Sequence, residues 1–279
     1  MKQKLIRLVR FTWKRWERRI TVSKRQQFVI ITLLLTMGMV LTQLVPADLR
    51  YPMVSVLSVC TFLATAFAMR EDLSGVEWLT LLILPTLFTA AIGLFYFLLP
   101  VRWLTRLPVA ALYAVGIYAL LLTENIYNVA AERTIALLRA AHSVGFLLSL
   151  LTYFLLVQTI LAFRLPYYAN GILVGCVSFF LIIGSLWAVE LGERLSQRVW
   201  RITVALSAVF MELSWIFSFW PVATTLIALF LTTCFYSLVG MAQQYLVERL
   251  YKKTIVEFLG VVTIVFFIVL LATRWRGQI

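Results

Sequence analysis

Long apolar runs separated by short polar segments cover most of the chain after residue 27. Each run has close to the 20 residues that an α-helix needs to cross the hydrocarbon core of a bilayer. Charge-poor runs of this length predict membrane-spanning helices rather than the core of a soluble domain. We predict about nine spans, within a range of eight to ten, at these positions: Phe28–Pro46, Pro52–Met69, Trp78–Leu99, Leu107–Thr123, Val144–Phe163, Tyr167–Val189, Val199–Trp220, Val222–Val247 and Thr254–Thr273.

The composition agrees with this pattern, since 62% of the residues are hydrophobic and only 13% are charged. Average soluble proteins are about half apolar and a quarter charged. No polar block is long enough to form a separate folded domain. Residues 28–279 are therefore predicted to form a single polytopic transmembrane domain of an all-α integral membrane protein. Any chemistry must take place in the membrane or at its surface.

Residues 1–27 form a basic segment, and its first 22 positions have the pattern of an amphipathic helix. Tryptophans and aliphatic residues gather on one face, and lysines and arginines gather on the other. Such a helix lies in the membrane interface, with its tryptophans at headgroup level and its basic side chains on anionic lipid. Anionic membrane lipid is therefore the first predicted partner.

The lysines and arginines are distributed unequally between the two sides of the membrane. The segments on the predicted inner side hold 19 of the 25 basic residues. Because cytoplasmic segments carry such an excess, we predict a multi-pass plasma-membrane protein with a cytoplasmic N-terminus and an outer C-terminus. The same distribution explains the net charge of +13 by anchoring and orientation. Nucleic acid is accordingly not predicted as a partner.

Residues 121–144 form the longest polar-bearing segment between the first and last spans, and they include the only histidine. At about 100° per residue on a helical wheel, Glu124 and His142 superimpose. We predict one continuous interfacial helix on the inner side with a polar stripe, and Tyr127 falls on the opposite face. The same polar side carries three further residues: Asn128, Glu132 and Arg139.

This stripe allows two interpretations. It could dock onto other inner helix ends or line an inner vestibule, or it could simply face water at the membrane surface. Glu124, which follows the predicted end of a span, is expected at a hydrated helix terminus.

Glu212 is the one acidic residue near the centre of a predicted span. Since charge deep in a bilayer is costly, we predict that Glu212 faces other helices and not lipid. We also predict that its carboxyl is protonated and hydrogen-bonded to another span. Two roles follow, an ion or proton site and a structural acid that holds helices together.

Several enzyme motifs are missing from the chain. A single histidine excludes an H-E-x-x-H zinc site and a bis-histidine haem. Neither a G-x-S-x-G elbow nor a P-loop occurs. We predict no catalytic residue, no metal ligands and no cofactor, and these absences favour a protein that is not an enzyme.

Three functional classes are compatible with the sequence. The first is a transport or channel-like protein for a small solute or ion. The alternatives are a non-catalytic scaffold or assembly subunit, with a protein partner in the membrane, and a membrane-embedded enzyme acting on a lipid-borne substrate. The candidate functional residues are Glu212, Glu124, Asn128, Glu132, Arg139 and His142.

Overall fold

The computed structural model describes residues 23–70, 75–99, 103–132, 137–192 and 194–273, and the fold over these ranges is all-helical. Each helix there is long and apolar enough to cross a membrane, which confirms the predicted all-α membrane fold. The helices are α1 (Lys24–Leu44), α2 (Ala47–Met69), α3 (Glu77–Tyr96), α4 (Trp103–Glu132), α5 (Leu138–Ala162), α6 (Tyr167–Glu190), α7 (Gln197–Phe217), α8 (Thr224–Leu246) and α9 (Lys252–Ala272).

Local sequence explains several of the helix boundaries. Ser23 and Gln26 form a capping box at the start of α1, in which each side chain accepts a hydrogen bond from the other's backbone N–H. The Ser196 hydroxyl accepts from the Val199 N–H at the start of α7. Pro52 was predicted to be the first residue of a span and Pro108 the second residue of another, but both lie more than one turn inside their helices, α2 and α4. Proline is tolerated there because it removes a single helical hydrogen bond and neighbouring helices support the backbone.

The prediction of one continuous helix over residues 121–144 is wrong. The segment is divided between the end of α4 and the start of α5, which pack against each other. The Tyr127 hydroxyl donates to the Ala141 carbonyl oxygen at 2.9 Å. In one straight helix these residues, 14 positions apart, would be separated by about 21 Å. Instead of lying along the membrane surface, the polar segment folds back into the bundle.

Helices α3 to α6, together with α8, surround the core, and α7 packs mainly along α6. Two glycines near the start of α6 bring α6 and α7 close together. A Cβ added at Gly175 would lie 3.0 Å from the Met211 Cβ, and one at Gly171 would lie 3.2 Å from the Met211 carbonyl oxygen. Small residues of this kind allow close backbone approach between membrane helices. Helix α9 lies at the periphery, against α8.

Helices α1, α3, α5, α7 and α9 begin at one end of the bundle, which we call the basic end. The predicted interfacial helix at residues 1–22 lies outside the described residues, as does the chain beyond residue 273. The basic end takes its name from the following described residues: Lys24, Arg25, Arg70, Arg139, Arg194, Arg198, Arg201, Arg249, Lys252 and Lys253.

Candidate functional site

A small cavity lies in the half of the bundle nearer the basic end, between α3, α4, α5, α6 and α8. Its volume is about 30 Å³, which is room for one or two water molecules. Apolar side chains and glycines form part of the wall. The polar part of the wall is made by Thr80, Glu124, Tyr127, His142, Ser149, Ser185 and Gln243. This is a concentration of polar groups in an otherwise apolar protein, and it is the candidate site.

Glu124 contributes the acidic group of the cavity. It is only 3% exposed, so the expectation of a hydrated helix end was wrong. The reason is that α4 continues for two more turns beyond Glu124, to Glu132, and keeps the carboxyl inside the bundle. No described lysine or arginine lines the cavity. Because an isolated carboxylate is costly to bury, this position suits a neutral acid or a bound cation.

His142 contributes the imidazole of the cavity wall and is partly buried. Its Nε2 lies 2.7 Å from the carbonyl oxygen of Ala188. Since a carbonyl oxygen can only accept, Nε2 carries the hydrogen and Nδ1 is left as the second ring nitrogen. The imidazole packs beside the ring of Tyr127, with the ring centroids 5.5 Å apart. The α6 backbone and an α4 aromatic ring therefore hold the imidazole in one orientation.

The structure thus brings Glu124 and His142 together at one cavity, as their shared position on the wheel implied, but the two residues lie on different helices. On a continuous helix they would be five turns apart, whereas the antiparallel packing of α4 and α5 places both in the same wall. Tyr127, assigned to the apolar face by the wheel, links the two helices.

Sequence reasoning missed the other polar residues of the cavity. Gln243, near the end of α8, donates from Nε2 to the Ser185 carbonyl oxygen at 3.1 Å. Thr80, Ser149 and Ser185 are single polar residues within apolar runs, where hydroxyls usually bond to their own helix. Their common depth near the basic end was the one signal that could have grouped them.

The remaining stripe residues are not brought together at the cavity. Asn128 lies one turn beyond Glu124, is 2% exposed and has no hydrogen-bond partner for either side-chain amide atom among the described residues. Arg139 is exposed at the surface. The side chain of Glu132 lies outside what the structure describes. The stripe is therefore split between the cavity wall, the buried interior and the surface.

Glu212 does not face other helices of the chain, so that prediction was wrong. Its side chain is exposed on α7, without a hydrogen-bond partner in the described part of the chain. Helix α7 buries the face that contains Phe210 and Ser214. Since Glu212 is two positions after Phe210, it lies about 200° around the helix from it, on the outer side. Glu212 is not among the described residues that line the cavity.

Aromatic rings close the core on the side of the cavity away from the basic end. Tyr153 lies one turn beyond Ser149 on α5, and its ring stacks on Phe235 of α8 with a centroid distance of 4.3 Å. Phe210 of α7 packs against Phe235 at 5.7 Å. The hydroxyls of Tyr153 and Ser178 are hydrogen-bonded at 3.2 Å. These packed rings lie between the cavity and the opposite end of the bundle.

A family model matches residues 54–272, a range that includes every helix lining the cavity and leaves out α1. No curated protein and no solved structure matches the chain. On this match, the chain belongs to the family described as Protein of unknown function (DUF5656).

Proposed function

We propose that this multi-pass membrane protein transports a small cation, with the proton as the first candidate, and that Glu124 is the binding group. The observation that carries the proposal is a glutamate 3% exposed at an internal cavity, without a lysine or arginine among the described lining residues. Ionisable residues inside transmembrane segments mark ion and proton pathways by default. A cavity of about 30 Å³ admits water or a monatomic ion and excludes larger solutes.

The cavity chemistry suits a proton particularly well. A carboxyl that gains a proton becomes neutral and needs no counter-charge in the bundle interior. His142 offers Nδ1 as a second proton acceptor, because its Nε2 is engaged by the Ala188 carbonyl. A water molecule in the cavity would connect such groups by hydrogen bonds.

Access to the site would be from the basic end, which we place on the cytoplasmic side of the plasma membrane. In the other direction, the stack of Tyr153 on Phe235 lies between the cavity and the opposite end of the bundle. Transport therefore requires a second conformation in which α5 and α8 separate at this stack, as in alternating access around a fixed site.

Proton flux into liposomes tests the proposal. The purified protein is reconstituted into vesicles that contain a pH-sensitive dye. A potassium gradient with valinomycin then sets the membrane potential that drives protons across the bilayer. We expect Glu124→Gln, which keeps the shape of the side chain and removes its titration, to lower the flux at least about tenfold. The matched control is Glu257→Gln, because Glu257 is exposed and its ion pair with Lys253, at 3.9 Å, lies at the surface.

Two outcomes would overturn the proposal. One is a wild-type protein that carries protons, sodium and potassium no faster than empty liposomes. The other is a Glu124→Gln variant with the wild-type flux. Size-exclusion profiles of both variants show that a lost flux is not a lost fold.

A non-catalytic assembly subunit is the second candidate, and the position of Glu212 favours it. An exposed carboxyl on α7 is poorly solvated by lipid and well solvated by another protein surface. The enzyme alternative gains no similar support, because the described cavity has no room for a lipid-borne substrate.

A further inference from the structure

Glu212 is a polar group on an otherwise lipid-facing surface. The exposed face of α7 contains small residues beside Glu212 and bulky apolar residues around them. Arg201 is 11 positions before Glu212 and Trp220 is 8 positions after it, which are about 16 and 12 Å along a helix. Glu212 is therefore deep in a hydrocarbon core about 30 Å thick.

Lipid alone is a poor environment for the Glu212 carboxyl at this depth. Acids in transmembrane helices almost always face a protein interior or water, because hydrocarbon offers no hydrogen-bond partner. No described lysine or arginine lies at this depth on a neighbouring helix. By contrast, the exposed charged residues of α9, Lys252, Lys253 and Glu257, lie in its first two turns near the basic end. Lipid suffices for the rest of α9, where the exposed large side chains are apolar: Leu259, Val261, Ile264, Phe267, Ile268 and Leu271.

We propose that the outer face of α7 is a homodimer interface in which Glu212 pairs with the same residue of a second copy. A two-fold axis along the membrane normal places identical residues of both copies at one depth and opposite each other. A protonated carboxyl donates one hydrogen bond and accepts another, so two such groups satisfy each other. Any other partner would need a polar group at this same depth, which a second copy supplies automatically.

The neighbours of Glu212 fit a close helix pair. Ala205 and Ala208 are exposed, and they lie seven and four positions before Glu212, on the same face. Small residues let two membrane helices approach until van der Waals contact and hydrogen bonds form. Arg201 would be repeated across the pair, but at headgroup depth, where water, salt and anionic lipid screen the repulsion. This proposal stands independently of cation transport.

Cysteine cross-linking in native membranes tests the interface. The background variant carries Cys60→Ala, Cys176→Ala and Cys234→Ala, which removes the cysteines of the chain. We expect Ala208→Cys to form disulfide-linked homodimers on mild oxidation. The matched control is Ile264→Cys on α9, which is also exposed, at 62%, and should stay monomeric.

Three cross-linking results would overturn the proposal. They are the absence of a homodimer from Ala208→Cys, cross-linking of that cysteine to a different protein only, and equal cross-linking by Ile264→Cys.

Energy transfer between labelled copies in liposomes tests the part played by Glu212. We expect Glu212→Leu to lower the dimer association constant about tenfold, the size of one to two interhelical hydrogen bonds. Glu212→Gln should stay within about threefold of the wild type, because an amide also donates and accepts. Since leucine on an outer face leaves the monomer packing intact, an unchanged association constant for Glu212→Leu would refute the acid pair.

Discussion

The contact between α4 and α5 at Gly145 can be tested by a single methyl group. A Cβ added at Gly145 would lie 2.6 Å from the Tyr127 hydroxyl oxygen and 3.2 Å from the Thr123 Cγ2. The Tyr127 hydroxyl cannot move away freely, because it donates to the Ala141 carbonyl oxygen at 2.9 Å. Gly145→Ala therefore forces the tyrosine ring aside and breaks this hydrogen bond.

The loss of stability expected for Gly145→Ala has two causes, the steric overlap and the broken hydrogen bond. Overpacking a buried site costs about 1–3 kcal/mol, and losing the hydrogen bond costs about 1 kcal/mol more. Alanine also gains up to about 1 kcal/mol over glycine in a helix. Gly260→Ala on α9 receives the same helical gain without the clash, since nothing lies within 4 Å of its added Cβ. We expect the two variants to differ by about 2–4 kcal/mol in their free energy of unfolding.

Reversible unfolding in mixed micelles of mild detergent and dodecyl sulfate measures this difference. A double-mutant cycle with Tyr127→Phe isolates the cause, because that change removes the oxygen atom nearest to the added methyl group. In the Tyr127→Phe background, Gly145→Ala should cost less than about 1 kcal/mol. An equal cost in both backgrounds, or a Gly145→Ala variant as stable as Gly260→Ala, would refute the described α4–α5 contact.

Three further predictions concern the core and the topology. Phe235→Ala removes a fully buried ring and should lower the free energy of unfolding by about 3–5 kcal/mol in the same micelle assay. The control Phe267→Ala, at a site 57% exposed, should lower it by less than about 1 kcal/mol. Tyr113→Phe removes a buried hydroxyl that hydrogen-bonds to α3, so a loss of about 0.6–1.7 kcal/mol is expected from micelle unfolding, with proton flux unchanged. Reporter fusions after Arg25 and after Ile279 should report from opposite sides of the membrane, and a signal from the same side would contradict nine spans.

A helical wheel drawn from the sequence could predict the residues of the cavity only in part. The wheel identified Glu124 and His142 as related, yet it assumed one continuous helix through residues 121–144. Where the chain reverses is decided by tertiary contacts, such as those of Tyr127 with Ala141 and the His142 ring. No proline or glycine within that segment marks the reversal. The burial of Glu124 was unpredictable for the same reason, because it depends on how far α4 extends.

The sequence by itself determined that the fold consists of apolar helices long enough to cross the membrane, and each predicted apolar run overlaps one of the described helices. This is a local property, since hydrocarbon requires each span to satisfy its own backbone hydrogen bonds and bilayer thickness sets the length. The rotation of each helix was decided only by the tertiary structure. Lipid tails and a protein core are equally apolar, so hydropathy cannot tell which face of α7 is inside. Packing on α6 turned Phe210 inward and Glu212 outward.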